Sequence, residues 1–308
     1  MNRLALRLAA GIAACFAFGS GAIAQAGETL QQARAGQGPD LVATMRQTSK
    51  PKKPPANSNL QVVSYPGSLG QMSGYLTKDP GDGKKYPAIV WISGGDTALG
   101  DFWSPQPRDS DQSAAAFREA GVAVFYPAVR GLNGNPGQIE GFYGELDDLV
   151  AATKWLKQQP WVDPERVYLG GHSSGGTMVL LAAEYAAEWK GVFSFGPVHD
   201  PRGYGPRLWG ALPYDSLDEA ASRLRAPIHW LPSITIPTLV IEGERQGNVG
   251  SLDLIRTTST NPLVHVALGR DCTHFSILRP ASEKIADAIA NDKVDAMFTG
   301  GGFSVSCS

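Results

Sequence analysis

Histidine and cysteine are scarce in this chain, with five of the one and three of the other among 308 residues. No His/Cys/Asp cluster has the spacing of a metal site, so no metal is expected. Its glycines form no P-loop and no dinucleotide fingerprint, so no nucleotide cofactor is expected either. Internal repeats are absent. Charge of one sign is also lacking: 27 basic residues stand against 29 acidic ones, a net of −2, which leaves no basic footprint for nucleic acid. What remains is 43% hydrophobic and 18% charged, a globular mixture able to bury a sizeable core in one large domain or two small ones.

The N-terminus reads differently from the rest. Residues 1–26, "MNRLALRLAAGIAACFAFGSGAIAQA", place Arg3 and Arg7 before an apolar run to Phe18, then small residues ending Ala24-Gln25-Ala26. That order is a secretory signal cut after Ala26, and the apolar run is short for a membrane span. The expectation is a protein exported to the periplasm or the extracellular space, with no stable membrane anchor once the signal is removed. Cys15 lies inside the apolar run rather than after it, which is not a lipoprotein arrangement. Loss of Arg3 and Arg7 would take the formal charge from −2 to −4. Cleavage would leave Cys272 and Cys307, a disulfide candidate in an oxidising compartment, with two free thiols as the alternative.

Residues 27–58 show no sustained apolar period and contain "SKPKKPPANS", which reads as an extended arm or linker. A single domain is expected over 59–308. It opens with "LQVVSYPGSLGQMSGYLT", two β-like runs across a Gly-containing turn. Strands and helices then alternate. Strands are expected at 88–93, 122–127, 166–171 and within "GVFSFGP", "PTLVIEG" and "LVHVAL". Helices are expected near 112–120, 144–159, 176–187, 216–223, 251–257 and 282–290. Continuous apolar strands, each followed by a helix, give an α/β fold: a mostly parallel central sheet with helices on both faces and an antiparallel N-terminal hairpin.

Gly171-His172-Ser173-Ser174-Gly175 is G-x-S-x-G between an expected strand and an expected helix. In that setting Ser173 sits on a strained turn and projects its Oγ into a cleft, as a nucleophile requires. The backbone N–H of Ser174, at the helix start, points toward an oxyanion forming on the substrate. The competing reading is a Gly/Ser-rich turn that only caps the helix.

With these residues the chain resembles the α/β-hydrolase superfamily, and within it the hydrolase domain of the prolyl oligopeptidase family and related secreted serine esterases. The resemblance runs from about Leu60 to Ser282, through "WISGGD", "GFYGELDDLVAATKWLKQQPWVDPERVYLGGHSSGG", "IPTLVIEG" and "CTHFSIL". It implies a Ser-His-acid triad. His274 follows the last strand, in the slot this fold gives the base. His172 is the variable position of the elbow and reads as a packing or pocket element. His265 lies within a strand, and His199 and His229 carry no motif. The family pattern implies an Asp where this chain has Gln246, so the acid must come from elsewhere. Glu242, ending an apolar strand, is the first choice, with Glu244 and Asp200 as alternatives. Asp200 follows the preceding strand, where hydrolases resembling platelet-activating-factor acetylhydrolases place their acid. "SGGD", 93–96, resembles the family's His-Gly-Gly segment, which implies Gly95 N–H as the second oxyanion donor. Trp103, Tyr143 and Trp230 are left unassigned, since aromatics are more often core.

The expected activity is cleavage of carboxylic esters through an acyl-enzyme. The arm before the domain is too short for even one propeller blade of about 40 residues, which favours a small ester or short peptide as substrate. A propeller-free peptidase or aminopeptidase is the alternative. A non-catalytic exported binding protein on the same fold is a third reading, whose one support is Gln246.

Overall fold

The computed structural model describes residues 27–299 and 301–308. The expected signal segment, 1–26, lies outside the described residues. A short helix, α1 (Leu30–Arg34), precedes the hairpin β1 (Leu60–Gly67) and β2 (Gly70–Thr77). Then come β3 (Tyr86–Ile92), α2 (Ala115–Glu119), β4 (Ala123–Pro127), α3 (Glu145–Lys157), β5 (Val162–His172) and α4 (Ser174–Tyr185). The chain continues with β6 (Val192–Phe195), α5 (Glu219–Arg223), β7 (Thr238–Arg245), α6 (Val249–Thr258), β8 (Val264–Thr273) and α7 (Leu278–Ala290). The strands form one sheet in the order β1-β2-β4-β3-β5-β6-β7-β8. The β1–β2 and β2–β4 pairs are antiparallel, and all later pairs are parallel.

The absence of polar alternation in the strands follows from burial on two sides. Along β3, Ala88, Val90 and Ile92 enter a core with α3, α4 and α6, whereas Ile89 and Trp91 enter a second core with α2 and α7. α4 starts on Ser174, two residues ahead of the expected helix. Its first turn holds Gly175 and Gly176, poor helix formers whose propensity is overridden by packing against the sheet. α7 likewise starts at Leu278. Pro280 falls in its first turn, where the missing N–H would have had no partner inside the helix.

Residues 27–58 lie along the domain. α1 packs on α4, Leu30 is fully buried, and Leu41 bridges to Tyr214. Arg34 donates to Leu224 O (2.6 Å), Phe142 O (2.9 Å) and Tyr143 O (2.9 Å). Between β6 and β7 the chain makes short 3-10 turns at Pro201–Arg207, Pro227–His229 and Leu231–Ser233, together with α5. Arg34 thus ties the arm both to this segment and to the loop before α3. All candidate functional residues lie at the C-terminal edge of the parallel strands, the edge where open α/β sheets bind ligands.

Candidate active site

β5 ends at His172 and α4 begins at Ser174, leaving Ser173 between them at φ 54° and ψ −115°. A residue with a Cβ is strained there, by roughly 1–3 kcal/mol, unless its surroundings fix it. They do: Ser173 N–H donates to Phe195 O (2.8 Å), and Thr177 N–H donates to Ser173 O (2.8 Å). The turn therefore remains tied to β6 on one side and to α4 on the other, with Ser173 at the head of the helix. Ser174 Oγ donates to Gly95 O (2.6 Å), which fastens the loop after β3 to the elbow. Among the described residues, neither Ser174 N–H nor Gly95 N–H donates to a protein acceptor. Two donors at a helix start and an adjacent glycine loop are what an oxyanion needs.

His274 stands on the loop between β8 and α7. Thr273 N–H donates to Ser276 Oγ (2.8 Å) and Ser276 N–H donates to Thr273 Oγ1 (3.1 Å), a reciprocal pair that closes this loop. His274 Nδ1 is 2.9 Å from Glu242 Oε2. The Glu242 side chain is fully buried on β7, where an unpartnered carboxylate would be costly. It is well supplied: Oε1 accepts from Gly243 N–H (2.8 Å), and Oε2 also accepts from Asn248 N–H (2.8 Å). Gly196 and Gly247, at φ +56° and +84°, pack on this pair. A Cβ on Gly196 would come within 2.5 Å of His274 Cε1 and 3.0 Å of Glu242 Oε2. One on Gly247 would come within 2.7 Å of His274 Cβ and 2.9 Å of Glu242 Oε2. Both positions therefore need glycine for backbone and for space.

The structure keeps the other carboxylates away from the imidazole. Asp200 accepts from the N–H and the guanidinium of Arg202 (2.7–2.9 Å), and Glu244 is exposed. Gln246, where the family pattern has Asp, is exposed at φ 74°. No hydrogen bond joins Ser173 Oγ to His274 among the described residues. Catalytic hydrogen bonds are commonly loose until substrate arrives. Cys272 and Cys307 form a disulfide pair with Cα atoms 5.0 Å apart, and Cys307 N–H donates to Arg270 O (3.0 Å). The chain end is thereby clipped to the strand that delivers His274.

Several neighbours carried no motif signal. Tyr204, in the segment after β6, hydrogen-bonds Thr177 Oγ1 (2.8 Å) and reaches Ser173, and burial raises its pKa. Trp209 Nε1 donates to Asp96 O (3.4 Å), joining the same segment to the glycine loop. His172, fully buried, donates from Nε2 to His274 O (2.9 Å). The unassigned aromatics lie elsewhere: Trp103 packs on Tyr75, Tyr143 lies under Arg34, and Trp230 lies under Arg223.

The chain is similar to several known proteins. The model of the prolyl oligopeptidase family matches residues 108–249. An uncharacterized peptidase, YtmA, of Bacillus subtilis is 28% identical over 208 residues, covering 64% of this chain and 77% of that protein. Among solved structures, the acylaminoacyl peptidase of Pyrococcus horikoshii superposes with a TM-score of 0.54 at 17% identity, over 77% of this chain but only 41% of its own. An esterase of Pyrobaculum calidifontis gives a TM-score of 0.54 at 20% identity, over 76% of this chain and 86% of its own. The sheet and its helices are those of an α/β-hydrolase.

Proposed function

We propose that this chain, a serine hydrolase of the prolyl oligopeptidase family, cleaves small carboxylic esters with Ser173 as nucleophile, His274 as base and Glu242 as acid. The observation that carries the reading is the 2.9 Å contact of His274 Nδ1 with the buried Glu242 carboxylate, beside a serine held at a strained elbow. Glu242 fixes the tautomer that leaves His274 Nε2 free to take the Ser173 proton as Oγ attacks the carbonyl carbon. The N–H groups of Ser174 and Gly95 take up the charge of the tetrahedral oxygen. His274 then protonates the leaving alcohol, and a water activated by the same imidazole releases the acid. Glu242 reaches the imidazole from within β7, so Gln246 is no argument against catalysis.

The ester preference is supported by extent: the esterase is matched over 86% of its length. A peptidase is the second reading, favoured by the similarity to the uncharacterized peptidase of Bacillus subtilis. Incubation with a fluorophosphonate probe, beside Ser173→Ala, followed by assay of short p-nitrophenyl esters and aminoacyl anilides, tests both. Labelling of the parent chain alone with ester turnover is the expected result. Anilide turnover without ester turnover would transfer the proposal to peptides, and absence of labelling would overturn the triad.

We also propose export to the periplasm or the extracellular space, on the order of segments in residues 1–26 and the Cys272–Cys307 pair. Mass spectrometry of the exported protein should find Gly27 as the first residue and no free thiol. An intact Met1 terminus would sink the idea.

A further inference from the structure

His172 reads from sequence as a packing element, but its contacts are polar on both ring nitrogens. Gln112, from the segment before α2, lies beside it. Gly94 N–H donates to Gln112 Oε1 (3.1 Å), which fixes the amide so that Nε2 donates to His172 Nδ1 (2.8 Å). With Nδ1 accepting, the ring proton sits on Nε2 and is donated to His274 O (2.9 Å). One unbroken chain of donors therefore runs from the loop that carries Gly95, through an amide and a neutral imidazole, to the backbone of His274. The rings reinforce it. His172 and His274 lie with centroids 4.5 Å apart, and Phe275 stands 5.4 Å and 5.0 Å from them.

We propose that His172 and Gln112 are positioning residues of the reaction, holding the oxyanion loop and the base's loop in register from beneath the elbow. The inference rests on the triad proposed above and goes beyond it, because neither residue touches the reacting atoms. The chain ends on groups adjacent to those that act: Gly94 precedes the Gly95 donor, and the His274 carbonyl belongs to the residue whose ring moves the proton. Displacements of about 1 Å at either end misalign attack and oxyanion together, and such misplacement is costly.

The shorter of the two Gln112 contacts, from Nε2 to Nδ1, also favours the uncharged ring. A proton on His172 Nδ1 would give up the 2.8 Å bond from Gln112 Nε2 for the longer 3.2 Å contact with Gln112 Oε1, an oxygen it would share with Gly94 N–H. A neutral ring is what the site requires, since the ring of His274 becomes an imidazolium 4.5 Å away in the transition state. Burial, with the charge on His274 as the lesser cause, separately holds His172 down to about 3.

The test compares the parent chain with Gln112→Met, His172→Phe and the double variant. Each substitution keeps bulk and removes the polar links. The readouts are the rate of fluorophosphonate labelling, kcat and KM on the same ester, and the melting temperature. Each single change should slow labelling and kcat by about 10- to 100-fold while KM moves less than about threefold. The double variant should be no slower than the slower single one, because both changes cut the same chain. Gln112 is only half-buried, so Gln112→Met carries the test by itself if His172→Phe does not fold. Variants that label at the parent rate, losses confined to KM, or losses that multiply in the double variant would each overturn the inference while leaving the triad intact. A parent chain that does not label would overturn the triad and this inference with it.

Discussion

Glu242 and Glu184 are both buried carboxylates, 0% and 2% exposed, in opposite surroundings. Glu242 lies on β7, toward its C-terminal end, among three donors: two backbone N–H groups and an imidazole. Glu184 lies on α4 near Arg34, and neither of its oxygens has a hydrogen-bond partner among the described residues. Each side-chain nitrogen of Arg34 donates instead to a carbonyl, of Phe142, Tyr143 or Leu224. Burial consequently raises the Glu184 pKa well above the ordinary carboxylate range. The sheet edge is built to hold a negative charge, whereas the α4–arm side tolerates a neutral acid. Burial alone says nothing about function; the donor set does.

Substitution at the two positions should separate the regions most sharply. Glu242→Gln removes the charge opposite an imidazolium and should lower kcat by about 10⁴-fold, as expected for triads in general. Glu184→Met should leave kcat unchanged and stabilise the fold by about 1–3 kcal/mol, since it removes two unpartnered buried oxygens. Ester kinetics and denaturant unfolding on both variants check this. A Glu184→Met enzyme as impaired as Glu242→Gln would break the comparison.

The arm offers a smaller effect. Arg34→Ala leaves the buried carbonyls of Phe142 and Leu224 without their donor and should cost about 2–3 kcal/mol in unfolding. Because those carbonyls belong to the loop before α3 and to the segment between β6 and β7, KM should rise more than kcat falls. Tyr204 and Trp209 of that segment border Ser173 and the glycine loop, which is why a loss of order there reaches the site. Unchanged stability and unchanged KM would show that the arm is passive.

The difference between the regions also explains what the sequence made legible. Strands β3 to β8 and the elbow advertise themselves through local patterns: unbroken apolar runs and a G-x-S-x-G at a strand–helix junction. His274 follows from chain order in a fold already named. The acid follows only as an order of preference: Glu242 comes first as the carboxylate ending an apolar run, with Glu244 and Asp200 open beside it. The contacts that distinguish them come from the positive-φ glycines 196 and 247 and from Asn248 N–H, which are tertiary facts. Gln112 and His172 are 60 residues apart, and Arg34 and Leu224 are 190 apart. No periodicity or motif spans such separations. Hence the arm read only as an extended Pro/Lys-rich stretch, while its helix and its buried arginine went unseen.

The finest contrast is in pH. Burial holds His172 down to about 3 and pushes Glu145 up to about 7, although Glu145 accepts from Glu140 N–H (2.7 Å) and Tyr143 N–H (2.9 Å). The signs are opposite. His172 is neutral when folded but protonates near 6.5 when unfolded, so its contribution is full above that value and drains away as pH falls toward 3. Glu145 keeps its proton when folded after the unfolded chain has lost it. Its contribution is therefore greatest below about 4.5 and is lost as pH rises to about 7. Between these limits each group changes stability by at most about 1.4 kcal/mol per pH unit. Melting temperatures from pH 4 to 8 should show the advantage of Glu145→Gln over the parent chain growing as pH rises. The deficit of His172→Phe should instead shrink as pH falls. Parallel curves for either variant would mean that the group titrates alike in the folded and unfolded chain, and that its burial does not govern its charge.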